Sequence, residues 1–286
     1  MDVIVGSQGF IASHYIDSTY KVNNVHYKVP SLRFMLDIIL GIEIVDLDKV
    51  QNILWLAGKS FPFNTTSKND PGYVYDLETL TSFLNFLIEN KWKGRFIFLS
   101  SGGCVYAQSH NALTEGSKLQ PNNLYGRLKV EQENLIINSG ITFTILRVSN
   151  VFGHRVRVTS GQDVINNWIR NFKVGNICQV YGSLETFRDY INVIDVVSAI
   201  SLATTKSDSS HILNIGSGVI LSTKELVEIF DKCTSREIKF DFKGARSIDR
   251  FGYVMDISLA SSVLGWAPKY SDKISISQFI KKELDT

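Results

Sequence analysis

The sequence predicts an α/β protein: a doubly wound parallel sheet with a smaller C-terminal lobe. Three observations lead there. Short β-branched runs alternate with helix-period patterns through the first half of the chain, as a sheet with crossover helices requires. The opening apolar run Val3-Ile4-Val5 enters a glycine-rich turn that feeds a helical pattern. After Gly153 the alternation loosens, and His154, Arg155 and Arg157 cluster. With 286 residues, 44% of them hydrophobic, the chain can bury one large core or two modest ones.

Taken in order, strands are expected at Val3–Val5, near Val25–Tyr27, and at Ile53–Leu56, Arg95–Leu99 and Thr142–Arg147. Behind Asp76, Leu77, Leu80, Phe83, Leu84 and Leu87 recur at helical spacing, and Gly94 separates that helix from the next strand. The polar stretch Asn64 to Gly72 reads as a loop. The helix carrying Tyr125 extends to about Asn138, with Gly140 as its stop. Val164, Ile165, Trp168 and Ile169 mark a further helix. Trp55, Trp92, Trp168 and Trp266 read as packing residues. A ligand of such a sheet belongs off the carboxyl ends of its strands.

Two motifs carry chemistry. In Tyr125-Gly126-Arg127-Leu128-Lys129 the tyrosine and lysine share one helix face. An ammonium there favours the phenolate; lowering a tyrosine pKa from about 10 by roughly three units takes about 4 kcal/mol of differential stabilisation. The second motif, Gly6-Ser7-Gln8-Gly9-Phe10-Ile11-Ala12, has the strand, turn and helix N-terminus of a dinucleotide fingerprint. Gly6 supplies the turn, Gly9 the close approach to phosphates, and Ala12 stands at the third glycine position.

Six further segments stand in order with these: Leu54-Trp55-Leu56-Ala57-Gly58, Phe96 to Tyr106, Leu146 to Gly153, Arg188-Asp189-Tyr190-Ile191-Asn192-Val193-Ile194-Asp195, Asn214 to Gly218, and Leu264 to Pro268. Together they resemble the extended short-chain dehydrogenase/reductase family of NAD-dependent epimerase/dehydratase type, which modifies nucleotide-sugars. The resemblance runs almost end to end. It implies a Rossmann-type domain over residues 1–153, rejoined by later strands at about 188–200, with 154–286 forming most of a substrate-binding lobe.

The resemblance also implies roles. Tyr125 is the acid/base on a sugar oxygen, Lys129 binds the nicotinamide ribose and lowers the tyrosine pKa, and Ser101 hydrogen-bonds the same oxygen. Gly6, Gln8, Gly9, Phe10, Ile11, Leu56, Ala57, Gly58 and Ser100 line the cofactor. Gly102, Gly103, Asn150, Arg188 and Arg246 face the nucleotide-sugar, the two arginines matching its diphosphate. Asp189 and Asp195 orient their segment. The family's serine or threonine slot is Gly102 here, which leaves Ser101 as the nearest hydroxyl, and the glycine of V-Y-G is Ala107. The Asp-Glu pair of the family's dehydratases is replaced by Gly103 and Cys104, so dehydration is disfavoured.

The second strand runs into His26-Tyr27-Lys28 without the acidic residue that holds the ribose hydroxyls of NAD. Lys28 and Arg33 suit a 2′-phosphate, which makes NADP the preferred cofactor over NAD. The expected reaction is reduction of a nucleotide-linked 4-keto-sugar, for surface polysaccharide by analogy with the family. The alternative is a 4-epimerase using tightly held NAD; a non-catalytic nucleotide sensor or RNA-binding scaffold ranks behind both. A homodimer is the family habit, through helices that include the one bearing Tyr125.

With 30 basic and 28 acidic residues there is no basic surface of the kind nucleic acids demand. Asp37 and Glu43 interrupt the best apolar run, Leu32 to Val45, so no membrane insertion is expected. Met1-Asp2-Val3 lacks a basic leader. Cys104, Cys178 and Cys233 show neither disulfide nor metal spacing, and no metal is expected. A reducing cytoplasm is the expected compartment.

Overall fold

The computed structural model describes residues 2–19, 25–27, 47–109, 111–154, 163–206, 209–245 and 251–285. Its centre is a six-stranded, wholly parallel sheet. The strands are β1 (Asp2–Val5), β2 (Val25–Tyr27), β3 (Asn52–Trp55), β4 (Arg95–Ser101), β5 (Thr142–Val148) and β10 (His211–Ile215). From one edge to the other they run β2-β1-β3-β4-β5-β10. Parallel neighbours need crossovers, and helices supply them on both faces.

Alternation along the strands builds two cores. Ile4, Leu54, Ile97 and Leu146 point to one face, against helices α1 (Phe10–Thr19), α6 (Val193–Lys206) and α8 (Ser258–Leu264). Val3, Val5, Ile53, Trp55, Phe96, Phe98 and Ile145 point to the other, which α2 (Pro71–Glu89) and α4 (Leu124–Asn138) cover. Each fully buried Leu or Ile in these layers contributes about 1.5–3 kcal/mol. The strand that returns to the sheet is β10, at 211–215. The range 188–200 adds none: it holds the end of β8 (Phe187–Arg188), β9 (Tyr190–Asn192) and the first turns of α6. β9 pairs instead with β6 (Asn150–Phe152).

A separate core lies beyond Gly153. Trp168 and Phe172 of α5 (Val164–Lys173) pack with Cys178 and Val180 of β7 (Cys178–Tyr181), Phe230 of α7 (Thr223–Cys233), and Phe279 and Ile280 of α9 (Lys273–Asp285). β11 (Leu221–Ser222) pairs antiparallel with β8, and β12 (Phe240–Lys243) parallel with β7. The sequence Ser222-Thr-Lys-Glu225 starts α7 with a capping box. All four tryptophans are buried. Among the described residues no helix is long and apolar enough to cross a membrane.

Candidate active site

At the carboxyl end of β1 the chain turns through Gly6 at φ +90°, a conformation that L side chains pay to adopt. A Cβ there would come within 2.6 Å of the Ala57 backbone. The turn thus lies directly on Leu56-Ala57, the segment leaving β3, and the Leu56 amide donates to the Val5 carbonyl at 2.9 Å. The Gly9 amide donates to the Gly6 carbonyl at 3.0 Å, which tightens the entry to α1. Ala12 is buried in the core, at the helix–strand contact expected of the third fingerprint position. Gln8 is exposed, while Phe10 and Ile11 are half-buried. Gly153, at the end of β6, abuts Phe10 and Val193.

The next wall comes from α2. Asp76, buried, accepts hydrogen bonds from the Lys59 amide at 2.8 and 3.0 Å and from the Ser60 amide at 2.8 Å. Its Oδ2 is the nearest atom to Gly58, 3.7 Å from where a Cβ would be. Gln132 of α4 donates to the Asp76 carbonyl at 3.2 Å, so the loop after β3, α2 and α4 form one tied unit.

Asn123 caps α4, its side chain accepting from the Gly126 amide at 2.8 Å, and Gly126 lies against the Cys104 carbonyl. Tyr125 and Lys129 follow on one face. The Lys129 Nζ is 5.7 Å from the Tyr125 ring centre and 4.6 Å from that of Phe98, and donates to the Leu99 carbonyl at 3.1 Å. The tyrosine hydroxyl makes no hydrogen bond among the described residues.

The expected depression of the Tyr125 pKa is not found in the protein alone. Burial pushes this phenol well above its ordinary range, and the nearby Cys104 and Asp76 push it further. Burial also lowers Lys129 to about 8, against the opposing pull of Asp76, Glu133 and Cys104. Desolvation by the surrounding protein outweighs the ammonium's influence on its neighbour.

Three further expectations change at the end of β4. The Ser100 hydroxyl is buried and turned to α4. It donates to Glu133 at 2.5 Å. Glu133 is paired with Arg147 at 2.6 Å, and Arg147 donates to the Tyr106 hydroxyl at 2.9 Å, which donates to Asn214 at 2.6 Å. Ser100 therefore anchors a buried polar chain beneath the site. Gly102 offers no open face: it is buried under the Met255 side chain, whose methyl and sulfur occupy the space a side chain would need. Gly103 is likewise overlain by the Tyr253 hydroxyl, 2.6 Å from where its Cβ would be. Ser101, half-buried, precedes the short helix α3 (Gly102–Val105), and its hydroxyl makes no hydrogen bond among the described residues.

On the far wall, the Asn150 amide donates to the Asp189 carbonyl at 3.1 Å. The Asp189 carboxylate gathers Ser149, Ser217, Gly218 and Met255, and Asp195 gathers Lys269, Tyr270 and Ser271, so both organise loops as expected. The Arg188 guanidinium is half-buried and donates to the carbonyls of Phe187 at 2.8 Å and Phe251 at 3.3 Å. Lys28, Arg33 and Arg246 lie outside the described residues.

Sequence reading missed Asp76, Glu133, Arg147, Tyr106, Met255 and Tyr253. The spacing Lys129-x-x-x-Glu133 on one helix face was the available signal for the second of these.

Residues 3–216 match the profile of the NAD dependent epimerase/dehydratase family. The chain belongs to that family. Two curated relatives span nearly all of it. A dTDP-4-dehydro-6-deoxyglucose reductase from Escherichia coli is 27% identical over 273 residues, 93% of this chain and 80% of the relative. A UDP-glucose 4-epimerase from Lactobacillus helveticus is 25% identical over 312 residues, 94% of this chain and 92% of the relative. Among solved structures, MoeE5 in complex with UDP-glucuronic acid and NAD superposes with a TM-score of 0.85 at 22% identity, covering 99% of this chain and 98% of the other. That likeness confirms the fold.

Proposed function

We propose that the protein is a nicotinamide-dependent oxidoreductase acting at C4 of a nucleotide-sugar, and that its reaction is reduction of a 4-keto-sugar. The observation that carries this reading is the continuity of Gly6, Ala57, Gly58, Asp76, Lys129 and Tyr125 along the carboxyl ends of β1, β3 and β4. The end-to-end match to a 4-keto-sugar reductase supports it.

The residues present fit a dinucleotide. Gly6 lets the turn close onto the Ala57 backbone, Gly9 keeps the start of α1 bare, and α1 presents its N-terminus to a pyrophosphate there. When bound, the dinucleotide supplies or accepts the hydride. Tyr125 holds the proton at its phenolic oxygen and delivers it to the sugar oxygen. Lys129 presents its ammonium to the ribose and to the phenol's side of the cleft. Ser101 is the hydroxyl left to orient the sugar, Gly102 being covered. Asn150 and Arg188 are the residues for the diphosphate, and Arg246 joins them on the sequence alone. The preference for NADP over NAD rests on Lys28 and Arg33 in the sequence.

A second reading is a 4-epimerase, supported by the match to the L. helveticus enzyme over 92% of that protein. One experiment separates the two: nicotinamide extracted from the purified protein. A reductase exchanges its cofactor, so added NADPH is consumed one for one with a 4-keto-sugar. An epimerase retains NAD and interconverts sugars with no net loss of absorbance. A homodimer through the outer faces of α2 and α4 completes the proposal; these faces expose Ile88 and Ile137. A cytoplasmic role in surface polysaccharide synthesis follows from the same family reading.

A further inference from the structure

We propose that Asp76 is a positioning residue for the reaction centre. Its carboxylate pins the loop under the cofactor to α2 and is the fixed counter-charge for the Lys129 ammonium. The inference rests on the functional reading above, and on geometry that is independent of which sugar is used.

Asp76 is buried at 6% exposure, yet its two oxygens are held by two backbone amides rather than by a cation. Amide donors favour the charged form of a carboxylate they hold, and they leave that charge uncancelled by any cation. The surroundings of Asp76 include Tyr125 and Lys129, both of which feel its charge. The Gln132 bond to the Asp76 carbonyl fixes the spacing, because Gln132 lies one turn beyond Lys129 on the same helix. Among the described residues, the titratable groups facing Lys129 are Asp76 from α2, Glu133 and Tyr125 from its own helix, and Cys104 from α3. Glu133 is already paired with Arg147, so its charge is largely compensated. Around Asp76 itself stand Tyr75 and Lys59, whose ammonium lies 3.5 Å over the Tyr75 ring and not on the carboxylate.

Asp76 thus does two jobs with one group. It holds Lys59 and Ser60, the continuation of the Leu56-Ala57-Gly58 turn. It also offsets the burial that works to neutralise Lys129.

The test uses the dinucleotide-free protein with lysine side chains labelled at Cε, and the Lys129 signal assigned by its absence in Lys129→Arg. In Asp76→Asn, which keeps one acceptor oxygen, the Lys129 midpoint should fall by about one pH unit below the native value, roughly a tenfold change in charge ratio. Asp76→Glu should keep the native midpoint to a much larger degree. In the unaltered protein, the Asp76 carboxyl carbon should show an inflection at the Lys129 midpoint. This arm needs no variant at Asp76. An unchanged Lys129 midpoint in Asp76→Asn, or an Asp76 carbon silent to Lys129 titration, overturns the proposal. The titration stands apart from turnover, so a failed sugar assay refutes the functional reading while leaving this result to be judged alone. In an active preparation, the alkaline fall of kcat/KM should move to lower pH in Asp76→Asn by the same amount.

Discussion

Glycine meets different partners at the two ends of the site. At the amino-terminal turn, Gly6 at φ +90° keeps backbone bare so that two main-chain segments meet. At the end of β4, Gly102 keeps backbone bare so that Met255 can fill the space. The first glycine lets backbone meet backbone, the second lets backbone meet a side chain. The same residue type therefore serves a strained turn in one place and a side-chain contact in the other. Only the partner across the gap tells them apart.

The comparison can be broken in several ways, beginning with the largest effect. Tyr125→Phe should lower turnover by roughly a hundred- to ten-thousand-fold, with dinucleotide binding retained, as steady-state rates and a fluorescence titration would show. A variant with native turnover would remove Tyr125 from the chemistry.

Glu133→Gln should destabilise the fold by about 3–5 kcal/mol, since it leaves the buried Arg147 without its charge partner. Denaturant unfolding measures this. A loss near zero would mean that the polar chain beneath Ser100 is dispensable.

Gly6→Ala and Gly102→Ser sharpen the contrast directly. The first forces φ +90° on an L residue and should cost about 1–3 kcal/mol. It should also weaken dinucleotide binding. Gly102→Ser should cost a similar amount through overpacking, about 1–3 kcal/mol, without altering dinucleotide affinity. Adding Met255→Ala should recover stability in the second case and not in the first. Thermal melts of the double variants read the difference.

The smallest effect near neutrality is on pH. Lys129 is charged below about 8 and neutral above it. Turnover that needs the ammonium should hold below that value and fall as pH rises through it. Stability should move the other way. The folded pKa lies below the unfolded value of about 10.4, so the unfolded chain binds more protons between them, and stability gained from Lys129 rises with pH across that window.

Much of this architecture was legible in the sequence. The alternation of apolar residues in Val3-Ile4-Val5 and Ile53-Leu54-Trp55 reports two buried faces, and those faces are the two cores found. The Tyr125–Lys129 spacing fixes a shared helix face whatever the tertiary context. The illegible parts depend on residues distant in sequence. Nothing local to Gly102 announces Met255, which is 153 positions away (255 − 102). Ser100 and Ser101 are adjacent and chemically identical, yet the pleat sends one hydroxyl to Glu133 and the other to the opposite face. The tyrosine acidity was misread for a related reason. Spacing shows the ammonium, while burial, which outweighs it, is a property of the packed whole.

The central claim is that Tyr125 and Lys129 serve hydride chemistry at a nucleotide-sugar C4. The most direct measurement mixes the purified protein with a nucleotide-linked 4-keto-6-deoxy-sugar and NADPH, and follows nicotinamide absorbance together with the sugar product. The account predicts loss of NADPH matched one for one by 4-hydroxy product, abolished in Tyr125→Phe. NADPH and NADH both left untouched, with no interconversion of nucleotide-sugars by the same preparation, would contradict it.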